Sequence, residues 1–356
     1  MSEQYPETDL PFLQVKGLKT HFPIKKGLLR RQVGSVKAVD GVTFDIPRGK
    51  TLGLVGESGC GKSVTIKSVL RLIEEPGRIA NGAIRFRSKI LGNSSAEMVD
   101  LVQLPAKSAQ LRALRGNEIA LIPQEPMAAF SPVHTIGNQL MEVIQLHQPV
   151  SNGEAKKIAV NRLKEVGVPN PEGAMDRYSW ELSGGLRQRA MIGMALTCDP
   201  LLLIADEPTT AIDVTTQAQV LSLLRKLQQE HQTSIIFITH DLGVIAQLAD
   251  DVVVMYLGKV MESGPVDQIF HNPQHPYTRA LLRSIPTVHT KNRSRLPTIS
   301  GSIPHPFQKR NGCPFVARCQ EALPEQRCAN QVPVLKAINE HQSVSCFLHQ
   351  GGGNAS

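Results

Sequence analysis

The sequence predicts an α/β fold: a mostly parallel, buried sheet flanked by helices, with an inserted helical segment and a small cysteine-rich C-terminal extension. Three observations predict it. Short apolar runs alternate with amphipathic helical stretches along most of the 356 residues, which implies parallel strands covered on both faces. The stretch LVGESGCGKSVT (54–65) sets three glycines and a lysine between an apolar run and a helical one. From about Asn272 prolines become frequent, and four of the six cysteines crowd into the tail.

Taken in order, the segment from about Leu13 to Ile46 reads as strands, rich in Val, Phe and Ile with turn residues between the runs. TLGLV (51–55) is a short buried strand ending at the glycine loop. SVTIKSVLRLIEE (63–75) reads as a helix, with Val64, Lys67, Ser68 and Arg71 on one face and Ile66, Val69, Leu70 and Ile73 on the other. EIALIPQ (118–124) is the next strand, and residues 126–182 are mainly helical, with Ala155, Ile158, Ala159, Leu163 and Val166 at helical spacing. Then come the buried strand LLLIAD (201–206), a helix striped by Val220, Leu223, Leu224 and Leu227, the strand SIIFIT (234–239), and a strand and hairpin in DVVVMYLGKVMESG. A boundary falls near residues 285–300; the tail beyond it is too short and too poor in apolar residues for a conventional core, so something must staple it.

A net charge of +8 suits phosphate ligands, anionic headgroups or nucleic acid. Aromatic residues make up only 4%, too few for base-stacking platforms, so no nucleic-acid partner is expected. No run approaches the roughly 18 apolar residues of a membrane-spanning helix. The polar start MSEQYPETDL has neither a basic nor an apolar leader region, and a cytoplasmic protein is expected.

The glycine stretch fits G-x-x-x-x-G-K-[ST] through Gly56, Gly61, Lys62 and Ser63. A polyphosphate needs many N–H donors and few side chains in the way, and Gly56, Gly59 and Gly61 let the backbone supply them. The following helix presents its positive end. Lys62 reaches the β- and γ-phosphates, and Ser63 ligates Mg²⁺. In LLLIADEPTT a buried strand ends in two carboxylates, Asp206 to hold Mg²⁺ through water and Glu207 to polarise the attacking water. LSGGLRQR places Ser183, Gly184 and Gly185 before a helix expected over 186–198. This is either a helix cap or a second anion-binding nest, and a second nest makes sense for a nucleotide held by another subunit. Gln124 and His240 close strands, where α/β sheets bind ligands.

Together these motifs resemble the nucleotide-binding subunit of an ATP-binding-cassette (ABC) transporter, over about Leu13 to Ile285 and in that family's order. The resemblance implies a P-loop ABC-type domain over 13–285, with a helical subdomain at about 126–186, and an extension over 286–356. It makes Gly56–Ser63 the Walker A loop, with Ser58, Gly59, Cys60 and Val64 also at the ATP. Gln124 becomes the Q-loop residue, reaching Mg²⁺, and Ser183, Gly184 and Gly185 the signature that meets a partner's ATP. The signature departs from LSGGQ at Leu186. Asp206 ends the Walker B strand, Glu207 is the catalytic base, Asp213 the D-loop aspartate and His240 the switch histidine. Phe22 is the candidate to stack on adenine, ahead of Tyr5 and Phe44. RLIEEPGRIANGAIRF, RGNEIALIPQEPMAAFSPVHTIGNQ and HNPQHPYTRALLRSIP resemble the ATPases of dipeptide and oligopeptide importers. The implied activity is ATP hydrolysis driving peptide import from the cytoplasmic face of the inner membrane. The implied partners are a second ATPase, a paralogue, two permeases and an extracytoplasmic binding protein. Nickel or glutathione as cargo, and a soluble ABC-type ATPase acting on ribosomes or DNA, are the alternatives.

The tail spacing is C-x5-C-x8-C-x17-C through Cys313, Cys319, Cys328 and Cys346, without the C-x-x-C pairs usual for zinc. Four thiolates on a proline-rich loop suit a [4Fe–4S] cluster, and similar tails in peptide-importer ATPases bind one. Zinc, free thiols and disulfides stay open. Cys60 in the glycine loop needs to be no more than a small residue, and Cys198 is expected in the core.

Overall fold

The computed structural model describes residues 11–27, 31–92, 97–125, 129–210, 213–285, 299, 301–302, 304, 311–323 and 327–350. Tyr5 and most of residues 286–310 lie outside them. The chain divides into two compact units. One holds Asp45–Thr51 and Arg85–Ile238 with the first residues of the N-terminal strand; the other holds Gln14–Phe44, Leu52–Ile84 and Thr239–Ser356.

The first unit is built on three parallel strands: β6 (Ile119–Ile122), β7 (Leu202–Asp206) and β8 (Ser234–Ile238). β7 lies between the other two, with Leu203 opposite Ala120 on one side and Ile235 on the other. Every residue of β8 and all but the last of β7 is buried, as sheets covered on both faces require. Around them run helices α2 (Ala109–Leu114), α3 (Ile136–His147), α4 (Asn152–Glu165), α5 (Pro171–Met175), α6 (Gly184–Ala195) and α7 (Val214–His231). Ser151 and Glu154 close a capping box at the start of α4. That helix buries Ala155, Ala159 and Leu163, as the sequence spacing predicts. The stripe of α7 is Val220, Leu221, Leu224 and Leu227; Leu221 stands in for the expected Leu223. A short strand β5 (Val99–Asp100) pairs with the end of β4 (Arg78–Phe86), through Arg85 and Phe86.

The second unit contains most of β1 (Pro11–Lys26), β2 (Arg31–Pro47) and β4 (Arg78–Phe86), in spatial order β2-β1-β4. Beside them β3 (Thr51–Val55) pairs in parallel with β9 (Asp251–Tyr256). β9 folds back on β10 (Lys259–Pro265) through Leu257 and Gly258, both at positive φ (47° and 78°), as a twist-matched two-residue hairpin requires. The tail adds β12 (Ser343–Val344) to β10, and β11 (Lys336–Ala337) to β12. Helices α1 (Lys62–Val69), α8 (Leu242–Leu248), α9 (Val266–His271), α10 (Pro276–Arg283) and α11 (Arg327–Asn330) complete the unit.

Two elements, α1 and α6, differ from their sequence pattern. α1 stops at Val69 rather than running to residue 75, because Leu70 caps it and Arg71 turns left-handed at φ 55°. Ser68, spaced onto the polar face, is buried, sharing a hydrogen bond with the Thr20 hydroxyl at 2.8 Å and donating to the Val64 carbonyl at 2.7 Å. α6 takes in Gly184 and Gly185 and ends at Ala195, so Cys198 lies beyond the helix and is only half-buried.

One buried carboxylate ties the tail to the hairpin. Glu262 of β10 is fully buried and accepts from Gln274 N at 2.7 Å, His275 N at 2.9 Å and Gln342 Nε2 at 2.7 Å. Glu262→Ala strands all three donors and is expected to cost at least about 3 kcal/mol, read as a lower urea midpoint. Glu262→Gln keeps one acceptor and costs less.

Candidate functional site

The glycine loop leaves β3 and enters α1, as its spacing predicts. Gly56, Gly59 and Gly61 take φ values of 148°, 76° and 104°. A Cβ on Gly56 would strike the Met255 carbonyl, and one on Gly61 the Ala38 carbonyl. Gly61 is the N-cap of α1 and supplies no side-chain cap, so the first N–H groups of the helix are set up to receive an anion. Ser58, Gly59 and Ser63 are exposed; Val64 is half-buried. Lys62 is buried and folds back, its Nζ donating to Gly56 O at 2.7 Å and Glu57 O at 3.2 Å. Cys60 is buried, and burial raises its thiol pKa although Lys62 pulls the other way. Phe22 on β1 is half-buried and lies against Gly77, where a Cβ would come within 2.5 Å of its ring. Phe44 is core. His240 is exposed, two residues past β8.

In the first unit β7 delivers Asp206 and Glu207. Glu207 takes φ 47°, a left-handed conformation uncommon for a residue with a Cβ. Its N–H donates to Ile238 O at 2.9 Å. Its Oε2 accepts from Gln124 Nε2 at 3.1 Å and from the Thr210 hydroxyl at 3.1 Å. The two residues taken from sequence as base and Q-loop glutamine, 83 positions apart, are thus in contact.

Ser183 caps α6, its hydroxyl accepting from Leu186 N, and Ser183 and Gly184 face solvent. Of the two readings left open by the sequence, the helix cap is the one seen here. Asp213 caps α7 in the same way: its Oδ1 accepts from Thr216 N at 2.9 Å and its Oδ2 from the Thr216 hydroxyl at 2.6 Å. The Thr216 hydroxyl is the first cause holding the Asp213 carboxyl below its ordinary pKa. The methyl of Thr216 lies 2.9 Å from where a Cβ on Gly185 would be. One threonine thus joins the signature turn to the aspartate cap.

In the tail, Cys313, Cys319, Cys328 and Cys346 line a single cavity with His275, Phe315 and Phe347. Cys313 N donates to Cys328 O at 2.8 Å. Burial pushes the Cys313 thiol pKa up to about 12, with Cys328, Cys346 and Cys319 adding to the rise. Burial also raises Cys319 and Cys346. Among the described residues no three of these sulfurs lie within 4.8 Å of one another.

The ABC transporter family profile matches residues 39–210, and that of the oligopeptide/dipeptide transporter C-terminal region matches 261–328. A Brucella ovis protein named as a peptide import ATP-binding protein is 44% identical over 346 residues, 96% of this chain and 98% of its own. The oligopeptide transport ATP-binding protein AppD of Bacillus subtilis is 44% identical over 342 residues, covering 96% and 98%. The chain belongs to the ABC transporter ATP-binding proteins. A solved ATP-binding cassette, dimeric with ADP and phosphate bound, matches the fold at TM-score 0.60 and 22% identity, over 71% of this chain and 98% of its own.

This ABC ATPase thus has the P-loop fold expected from its sequence. Spacing alone did not expose Thr210, Thr216, Tyr277 or Arg318 as neighbours of functional residues. Two of them sit in stretches already noted, Thr210 at the end of LLLIADEPTT and Tyr277 in HNPQHPYTRALLRSIP, while Thr216 and Arg318 sit in none. Gly185→Ala is expected to lose about 1–3 kcal/mol by overpacking against Thr216, measured by urea unfolding. Thr216→Ser, which removes the methyl and keeps the hydroxyl, should restore most of that loss. A Cβ on Gly184 meets nothing within 4 Å, so Gly184→Ala should hold its stability.

Proposed function

We propose that this ATPase powers peptide import through a membrane transporter, paired with a second ATPase subunit, a paralogue, across two shared nucleotides. The observation that carries this is the exposed N-terminus of α6. Ser183 and Gly184 face solvent at a helix end whose dipole favours an anion. A chain with its own phosphate loop has no use for that second nest on the same nucleotide; a nucleotide on a partner's loop does.

In this reading Gly56, Ser58, Gly59, Cys60, Gly61 and Val64 wrap the phosphates, and Phe22 stacks on adenine. Lys62 gives up its contacts with Gly56 and Glu57 for the β- and γ-phosphates. Ser63, Gln124 and Asp206 offer the hydroxyl, amide and carboxylate oxygens that suit Mg²⁺, which neutralises charge between the phosphates. Glu207 takes a proton from water as the water oxygen bonds to the γ-phosphorus. The bond from that phosphorus to the ADP oxygen breaks, and His240 and the partner's signature stabilise the charge. Gln124, on Glu207 and at the edge of the helical segment, links hydrolysis to the permeases. Val133, Leu146 and Trp180 are exposed in that segment, with Trp180 stacked on Tyr178 at 5.6 Å, and supply apolar area for a permease helix. Among the described residues no helix is long and apolar enough to cross a membrane. This suits a peripheral subunit on the cytoplasmic face of the inner membrane, beside two permeases and fed by an extracytoplasmic binding protein.

The tail cysteines fit a [4Fe–4S] cluster, a group the importer family implies. One zinc, at about 2.3 Å from each thiolate, would draw its sulfurs to within about 4 Å of each other. A cuboidal cluster binds each cysteine to a different iron and leaves the sulfurs farther apart, in keeping with their spread around the cavity. Bound there, it would replace four protons by one multivalent cationic core and staple the tail.

Glu207→Gln is expected to lower ATP turnover by about 10²–10⁴-fold while trapping ATP in a dimer seen by size-exclusion chromatography. Unchanged turnover would remove Glu207 as base. Anaerobically purified protein should show a broad absorption shoulder toward the blue that disappears in Cys328→Ser; a colourless sample holding stoichiometric zinc would overturn the cluster.

A further inference from the structure

The glycine loop is gripped by residues that the catalytic reading leaves unused. Glu57 follows Gly56 in that loop. Its Oε2 accepts from Arg318 Nη1 at 2.6 Å, and its Oε1 from Arg318 Nη2 at 3.0 Å. The Glu57 N–H donates to the Tyr277 hydroxyl at 3.0 Å, and its carbonyl accepts from Lys62 Nζ at 3.2 Å. Carboxylate, amide and carbonyl of one loop residue are therefore all engaged. The Arg318 side chain is only 4% exposed and that of Glu57 22%, so water screens the pair weakly. Arg318 also donates to the Tyr256 hydroxyl at 3.3 Å and to Ile299 O at 3.3 Å. Tyr256, Tyr277 and Phe315 pack as a ring cluster with centroids 4.7, 5.4 and 5.2 Å apart. Phe315 lines the cysteine cavity, and Arg318 directly precedes Cys319.

A two-pronged guanidinium–carboxylate pair fixes direction as well as distance. Here it spans 261 residues, so it forms only once the tail is seated. A loop with glycines at 56, 59 and 61 has much backbone freedom to lose when a ligand orders it. Fixing the loop beforehand removes that loss from the binding equilibrium.

We propose that Arg318 is a positioning residue for the nucleotide: through Glu57 it holds the phosphate loop in its binding shape, so that the seated cysteine tail raises affinity for the polyphosphate. This rests on the nucleotide reading above. Neither residue touches the reacting atoms, so the effect belongs to binding and loop order rather than to the hydrolytic step.

The test uses the full-length chain, purified anaerobically, with a fluorescent MgATP analogue as probe. Amide hydrogen exchange over the glycine loop is followed without nucleotide. Glu57→Gln and Arg318→Gln should each weaken binding about tenfold, and Arg318→Lys, which keeps charge but loses the fork, should fall between. The double variant should be no weaker than either single one, since both remove the same contact. Loop exchange should quicken in every variant, and kcat at saturating ATP should change less than about twofold. Glu57→Gln is nearly isosteric and partly exposed, so it reports even if Arg318→Gln fails to fold. Wild-type affinity and exchange in Glu57→Gln, losses that multiply in the double variant, or a fall in kcat without a change in affinity would each overturn the proposal. Absence of MgATP binding by the wild-type protein would instead remove the nucleotide reading.

Discussion

A polyphosphate carries more negative charge than two or three side chains can answer at close range, so backbone N–H groups must do most of the work. That constraint shapes the glycine loop. N–H groups converge on one point only if the backbone turns left-handed at intervals, and the carbonyls of Met255 and Ala38 press so near that a Cβ on Gly56 or Gly61 would collide. The loop is therefore cast by its neighbours rather than merely flexible. β3, pinned in register with β9 from Leu52–Asp251 to Val55–Val254, carries it to a fixed place beside the Leu257–Gly258 hairpin. Gly258 N bonds Cys60 O at 2.8 Å, closing the loop against the turn. A stretch devoted in this way to backbone donors has little room for side-chain chemistry of its own.

The end of β7 shows a constraint of its own. Glu207 sits at φ 47° immediately after β7, a conformation that costs on the order of 1 kcal/mol for a residue with a Cβ. Its amide bond to Ile238 offsets part of that. What the turn achieves is direction: the carboxylate leaves the line of the strand and meets Gln124 and Thr210, which offer it an amide and a hydroxyl. These two donors fix the aim of the carboxylate at the end of the strand.

The sequence was most informative where function is local. The strand–loop–helix order around Lys62, the carboxylates closing β7 and the serine before α6 sit in unbroken stretches, and chain neighbours impose their geometry. It was least informative where a contact joins distant residues. Periodicity put Ser68 on a wet face because it counts only residues three and four apart; Thr20, on another element, made the position dry. The same spacing carried α1 on to residue 75, because nothing apolar or polar in RLIEE announces that Arg71 will turn left-handed. Thr216 shows the limit most plainly: it looks like an ordinary residue in the first turn of a helix. Its hydroxyl on Asp213 is a local cap three residues apart, but only the fold brings its methyl against Gly185.

The tail poses a different physical problem. It buries Phe315, Val344 and Phe347 and continues the sheet through β12, yet gathers four thiols around an apolar cavity. As neutral thiols these sulfurs make weak hydrogen bonds and hold one another loosely. As thiolates they would lose hydration and repel one another across a medium that screens little; burial first, and the neighbouring sulfurs after it, push the Cys313 thiol pKa up to about 12. In the proposed cluster, a shared cation would offset the cost of deprotonation and convert mutual repulsion into four bonds. The segment between Cys313 and Cys319 also contains Phe315 and Arg318, so the residues that order the sulfurs and the residues that reach Glu57 are fixed together.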